Sequence, residues 1–518
     1  MKTIYFNQDN HHFYGSHPAE DMTEEGVDRL VDFYAQGTQL AGLLFCVNVQ
    51  RALFPSKTWE RFWDGYDPEK GENQPAAHRT HGVHNLWLLQ QRGVDQFERW
   101  LARSKHHGIE GWLSMRMNDS HGLVEHARQD PLPHALEEWP SNFWREHPEL
   151  RRAPYRWERS WEGSFDYGQK VVRDHHLNLL RELFERYDMF GLELDWMRWG
   201  MMFAPGHEEA GRELLNNFVR EVRKLADAAE MRLGHPIQLA HRLPADPQSC
   251  MALGYDPITW AHEGLAHMVT LSAFCAATHF DYAIDIWRSM LGGKVKLLAQ
   301  VENAVYTSGQ SVLSHEFLYG SAASAFQRKA DGIYLFNECY RESDERELLL
   351  EELNQAGDLE TLRKINRRHA FTHPQVCAPG EPRRSLLPIT LRHTNRDEDF
   401  SRWDKNISLR IGLGPKPQSG RAILRLGFSA DAPDMSAVEM RVNTKPVAPC
   451  QPVCWESRGD DWARRVTTLS TEMPPSATAA YWYEIPVAVL HDGINVVEFE
   501  PPDANGNLEW AEIILLPG

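Results

Sequence analysis

The chain has 518 residues, 55 of them basic and 73 acidic, for a net charge of −18. That balance excludes a nucleic-acid surface as a global property, since neutralising phosphates needs clustered Lys and Arg, and no stretch approaches the roughly 20 apolar residues of a membrane span. The 7 cysteines are scattered without CxxC spacing, a pattern that fits neither a disulfide framework nor a zinc site and points to reduced thiols, as in a cytoplasmic protein.

The chain opens with "MKTIYFNQDN", a strand-like pattern without the basic and apolar regions of an export signal. Eight short apolar runs then alternate with helix-length amphipathic segments, the pattern of βα units in a parallel sheet. The predicted strands are "TIYFNQ" from Thr3, "LAGLLFCVN" from Leu40, "IEGWLSMRMN" from Ile109, "FGLELDWM" from Phe190, "PIQLAHR" from Pro236, "HMVTLSAF" from His267, "VKLLAQVEN" from Val295 and "GIYLFNE" from Gly332. Between them Leu180, Leu183, Phe184 and Tyr187, like Leu215, Phe218, Val219 and Val222, recur at helical spacing and offer one apolar stripe to a sheet. Gly108 and Gly234 fall where helices should stop.

Eight units in about 360 residues predict an α/β fold, a (β/α)8 TIM barrel over 1–380. An open doubly wound sheet is the alternative, disfavoured because no GxGxxG follows the first strand. "HPQVCAPGEPRR" then breaks the pattern, and alternating runs such as Ala422, Leu424, Leu426 and Phe428 replace the helical stripes. Residues 384–518 read as a C-terminal antiparallel β-sandwich domain.

Function in such a barrel gathers at the C-terminal ends of the strands, and i, i+2 residues of a strand share a face. Those ends carry Asn7 and Asp9, then Asn48, then Arg116 and Asn118 with Asp119 beyond, then Glu193 and Asp195 with Trp196 and Arg198 after them. His241 and Arg242 end the fifth strand, Ser272 the sixth, Glu302 and Asn303 the seventh, and Asn337 and Glu338 the eighth. Apolar runs giving way to polar groups at the same end of so many strands mark a site. Singly, each residue also has a structural reading. Glu193 lies deeper and could pair with Arg116 or Arg242, any one of the amides could fix a loop, and a lone His241 is more often a satisfied core histidine. Asp195 and Glu302, nearer the mouth, favour chemistry.

The loops add Trp59, Trp63 and Tyr66 after the second strand and Trp139, Trp144, Trp157 and Trp161 after the third, with Trp196 and Trp199 flanking Asp195. Each could pack its loop onto the barrel, but as a group they suit stacking on sugar rings. Carboxylates from different strands among amides and aromatics are the equipment for glycosidic hydrolysis, one protonating the leaving oxygen while the other attacks the anomeric carbon or activates water. Asp195, close to Arg198, is the expected nucleophile or base and Glu302 the expected acid, with the reverse assignment open.

The ordered set "FNQDN", "SMRMND", "FDY" with "VRD", "GLELDWMR", "GYDPITWAHEG" and "ADGIYLFN" resembles a bacterial glycoside-hydrolase-like barrel family that joins a (β/α)8 domain to a C-terminal β-domain. That resemblance implies site roles for Arg116, Asn118, Asp119, Glu193, Asp195 and Arg198. The large retaining-glycosidase clan, by contrast, ends its fourth strand with Asn-Glu where this chain has Glu-Leu-Asp.

The sequence therefore predicts a glycoside hydrolase with a carbohydrate substrate, no nucleic-acid or membrane partner, no cofactor and no required metal; a homo-oligomer is compatible with it. Two alternatives stay open. One is a carbohydrate lyase or isomerase in which His241 or a carboxylate abstracts a proton, with a divalent metal on Asp9, Asp119, Glu193 and Asp195. The other is a non-catalytic carbohydrate-binding protein.

Overall fold

The computed structural model describes residues 2–9, 11–71, 73–74, 76–123, 139–156, 160–273, 278–306, 311–336, 340, 342, 345–371, 387–391, 406–429, 434–453, 456–461, 464–469, 476–501 and 506–518. All eight predicted barrel strands are present: β1 Ile4–Gln8, β2 Leu40–Cys46, β3 Glu110–Arg116, β4 Gly191–Asp195, β5 Gln238–Pro244, β6 Met268–Ser272 and β7 Lys296–Val301, then, after a hairpin of β8 Ala304–Tyr306 and β9 Ser311–Leu313, β10 Gly332–Phe336. They close into a ring in the order β1-β10-β7-β6-β5-β4-β3-β2. Almost every residue of these strands is buried, as expected of a parallel sheet covered on both faces.

The helices form where the apolar spacing put them. Leu179, Leu180, Leu183 and Phe184 are buried on the helix Lys170–Arg186, and Leu215, Phe218, Val219 and Val222 on the helix Glu208–Leu233. Gly234 ends the latter with φ +78, its N–H donating to the Glu230 carbonyl, a left-handed cap that glycine adopts without steric cost. The helix Gln96–His106 starts at Asp95, whose side chain accepts from the N–H groups of Phe97 and Glu98.

The chain divides into two compact units, Met1–Ser272 with Trp287–Leu298 and Cys339–Leu350, and Ala273–Ile286 with Ala299–Glu338 and Glu351–Gly518. The second contains an antiparallel sheet of nine strands, built from β11 Arg367–Ala370, β12 Ile389–Thr390, β13 Ile407–Gly412, β14 Gly420–Phe428, β15 Met440–Val442, β16 Lys445–Pro449, β19 Ala479–Ile485, β20 Ile494–Phe499 and β21 Asn507–Pro517, while β17 Glu456–Asp461 and β18 Arg464–Leu469 pair separately. Its core joins Phe280, Val305 and Phe317 to Leu424, Leu426, Trp510 and Ile513. Within it Glu512 accepts from Arg368 Nε at 2.8 Å and pairs with Arg425, all three buried.

Among the described residues no helix is long and apolar enough to cross a membrane.

Candidate active site

Strand register sets which side chains meet. Ser114 stands opposite Glu193 and Glu193 opposite Ala240; two residues further on, Arg116 stands opposite Asp195 and Asp195 opposite Arg242. Because alternate residues share a face, these are two stacked layers, with Glu193 below and Asp195 nearer the C-terminal ends. In the lower layer Glu193, fully buried, accepts from the Ser114 hydroxyl at 2.7 Å. In the upper layer Arg242 Nη1 lies 3.1 Å from both oxygens of Asp195, each residue 1% exposed. Asp195 Oδ1 also accepts from the Met197 N–H at 2.9 Å.

Arg116 is the hub of that layer. It donates from Nη2 to Asp9 at 2.8 Å and from Nη1 to Asp119 at 3.1 Å. Asp119 in turn accepts the backbone N–H of His121 at 3.1 Å and its ring Nδ1 at 2.8 Å. Burial works against the Arg116 charge, but the carboxylates of Asp9, Asp119 and Asp195 overcome it and hold the guanidinium protonated well above its ordinary range. Burial equally opposes a charge on Asp119, yet His121, Arg116 and Arg198 outweigh it and keep the carboxyl well below the usual carboxylate range. Arg198 moves the other way, lowered by burial and by the facing Arg116 and Arg242. Burial pushes the Cys46 thiol, beside this cluster, up to about 12, so it stays protonated and unreactive.

The amides act on backbone. Asn48 spans the β2 and β3 ends, its Oδ1 accepting from Arg116 N–H and its Nδ2 donating to Arg116 O, both at 3.0 Å. Asn118 accepts from Phe165 N–H at 2.8 Å and donates to Phe165 O at 2.9 Å and to Met201 O at 3.2 Å. Backbone bonds from Met117 to Asp195, Asn118 to Arg198 and Trp199 to Asn118 join the same loops. These contacts make the loops after β3 and β4 a single braced platform for Arg116, Asp119 and Arg198. Asn7 is buried near the end of β1.

Two expected residues lie on the other face of their strands. His241, one position before Arg242, packs with Trp196 and Trp260, and Trp196 in turn contacts Phe218 of the helix Glu208–Leu233. Its Nδ1 accepts from Trp196 Nε1 at 3.1 Å and its Nε2 donates to the Leu265 carbonyl at 2.9 Å. With both ring nitrogens engaged and burial lowering its pKa to about 4, His241 is a neutral core histidine. Adjacent strand residues point oppositely, which is why neither it nor Trp196 joins the Asp195 layer.

Glu302 is buried in the second unit and accepts from Gln300 Nε2, and Asn303 beside it is also buried. Asn337 and Glu338 lie outside the described residues, as does Trp157. Of the loop aromatics, Trp59, Trp63 and Trp144 are buried, Trp144 beneath the Arg151 guanidinium at 3.8 Å, while Trp139, Trp161 and Trp199 keep part of their surface exposed. His121 and Tyr14 were not singled out by the sequence; Tyr14 is buried close enough to Asp9 and Arg116 to feel both. The Asp-x-His spacing of Asp119 and His121 was the available sign of the first.

Among the described residues no group of three or more His, Cys, Asp or Glu is placed to hold a metal ion. No protein-family model and no curated protein matches the chain. Among solved structures it is similar to α-L-fucosidase isoenzyme 2 from Paenibacillus thiaminolyticus at 11% identity and TM-score 0.40, over 69% of this chain and 49% of that one, so that the match spans about half of the fucosidase. It is also similar to the PgaB (BpsB) glycoside hydrolase domain from Bordetella bronchiseptica at 10% identity and TM-score 0.40, over 68% of this chain and 99% of that domain. A third, a family 18 N-acetylglucosaminidase from Paenibacillus barengoltzii, aligns at 9% identity and TM-score 0.35 over 69% of this chain and all of that one.

Proposed function

We propose that this chain is a glycoside hydrolase acting at the C-terminal ends of β1, β3, β4 and β5. The observation that supports this best is the composition of the upper layer: Asp9, Asp119 and Asp195 interleaved with Arg116, Arg198 and Arg242, beside the partly exposed indoles of Trp139 and Trp199. Hydrolysis of a glycosidic bond builds positive charge at the anomeric carbon. A carboxylate held rigidly beside that carbon stabilises the charge without reorganising. Asp195 fills that role in our reading, fixed by Arg242 and the Met197 N–H, either attacking the carbon or acting as its electrostatic partner. Part-exposed indole faces suit the apolar face of a pyranose ring. Glu302 remains the proposed proton donor on its position after β7.

The test is a reducing-end product screen of a glycan library with wild type, Asp195→Asn and Glu302→Gln side by side. The reading expects new reducing ends from the wild type on at least one glycan and a loss of about 10²-fold or more in kcat in each variant. Hydrolysis that Asp195→Asn leaves intact removes that residue from the mechanism. Binding without turnover across the whole library would favour the non-catalytic alternative.

A further inference from the structure

In the hydrolase reading Asp195, held by Arg242 at 3.1 Å from both of its oxygens, serves the anomeric carbon, and the attacking water needs a base of its own. The loop after β3 holds a group suited to the task. Asp119 Oδ1 receives both the backbone N–H and the ring Nδ1 of His121, and Asp119 Oδ2 is tied to Arg116, which also grips Asp9. The carboxylate therefore cannot swing away, and the imidazole it orients is fixed in turn. A carboxylate accepts only, so Nδ1 carries the hydrogen and Nε2 keeps its lone pair. The His121 ring stands edge-on to Trp139 at 4.5 Å and tilted against Trp199 at 5.1 Å. Asp119 has no exposed side-chain surface whereas His121 is 22% exposed, so the pair presents its imidazole outward.

We propose that His121 is the general base of this site, oriented by Asp119 and flanked by the two tryptophans. The inference rests on the hydrolase reading and deepens it. In the step, an O–H bond of water breaks and its proton passes to Nε2 as the water oxygen bonds to the anomeric carbon. The electron pair of the broken glycosidic C–O bond leaves with the aglycone oxygen, which takes its proton from a carboxylic acid group or solvent. The imidazolium so formed is stabilised by Asp119 and then returns its proton to solvent. The charged groups facing His121 are Asp119 from its own loop, Arg116 from β3 and Arg198 from the loop after β4. Burial and the two arginines together outweigh the carboxylate and lower the imidazole pKa, which leaves the base free to accept a proton at neutral pH.

The experiment compares wild type with His121→Ala, His121→Gln and Asp119→Asn on nitrophenyl glycosides and the reducing-end screen. The expected result is a kcat loss of about 10²-fold or more for His121→Ala with KM nearly unchanged, partial rescue by added imidazole, and loss of the acid limb of the pH profile in His121→Gln. Asp119→Asn, which loosens the base's orientation and also removes the counter-charge of Arg116, should displace that limb. A wild type inactive on every glycan defeats the hydrolase reading itself. An active wild type whose His121 variants keep its kcat and acid limb defeats only the base assignment. Nitrogen-15 NMR of the wild type gives a readout independent of turnover and of variant folding: a neutral ring with hydrogen on Nδ1 at pH 7 is expected, and a cationic ring or the opposite tautomer overturns the proposal.

Discussion

Replacing Arg116 with Met removes the hub of the upper layer and has a magnitude that follows from burial. Two charge-assisted hydrogen bonds are lost, at 2.8 Å to Asp9 and 3.1 Å to Asp119. Asp9 is 25% exposed in its side chain, so water replaces the guanidinium there and the loss is under about 1 kcal/mol. Asp119 has no exposed surface, and orphaning one member of a buried pair costs about 3–5 kcal/mol. His121 still donates to Asp119, which places the expected destabilisation at the lower end, about 3 kcal/mol. The pH dependence has a definite sign. Asp119 is held well below its ordinary pKa, so its contribution is fully present above the unfolded carboxyl value of about 4 and fades as pH falls through the folded one. Urea unfolding at several pH values should therefore find a constant gap between wild type and Arg116→Met from pH 5 to 7 and a narrowing gap below 4. A gap under about 1 kcal/mol at pH 7, or one that does not narrow in acid, refutes the reasoning.

Three further outcomes follow from the packing. Gly191 admits no side chain, since a Cβ there would strike the Trp112 ring and stand 2.7 Å from the Gln238 carbonyl oxygen; Gly191→Ala should cost about 1–3 kcal/mol, read from the thermal unfolding shift. His241, neutral in the fold with a pKa of about 4, contributes stability that is present above pH 6.5 and lost as the unfolded chain protonates first, by up to about 3 kcal/mol at pH 4. His241→Gln should flatten that part of the acid unfolding slope, and an unchanged slope would place the effect elsewhere. Glu512→Gln leaves the buried Arg368 and Arg425 without their shared counter-charge, so it should destabilise the antiparallel sheet by about 3–5 kcal/mol and speed hydrogen exchange in β11, β14 and β21.

The barrel was legible because each of its strands is an apolar run bounded by helix-period segments, and burial on both faces leaves no other use for such runs. The antiparallel domain was legible as alternation, but its edge was not. Arg367, Arg368 and His369 are polar in sequence, yet all three are buried in β11 against β21, because Glu512, far off in sequence, meets Arg368, and Arg367 donates to the carbonyls of Leu413 and Pro415. Strand pairing of that range has no local signature. At the site, the strand-end rule found Arg116, Asp119, Asp195 and Arg242 together. Parity separates His241 and Trp196 from them, a consequence of one-residue offsets that a list of strand-end residues hides. His121 was passed over because it follows the strand in a loop, where neither periodicity applies. Among the described residues Trp59, Trp63, Trp144 and Trp196 became packing, as their large apolar surface favours, while part-exposed Trp139, Trp161 and Trp199 keep some surface.

The most direct measurement of the central claim is a crystal structure of the Asp195→Asn variant soaked with the glycan that the wild type cleaves, or with a monosaccharide mixture. A sugar ring is expected against Trp139 or Trp199 with its hydroxyls within hydrogen-bond distance of Asp9, Arg116 or His121. A sugar bound elsewhere, with only water at the ends of β1, β3, β4 and β5, would contradict it.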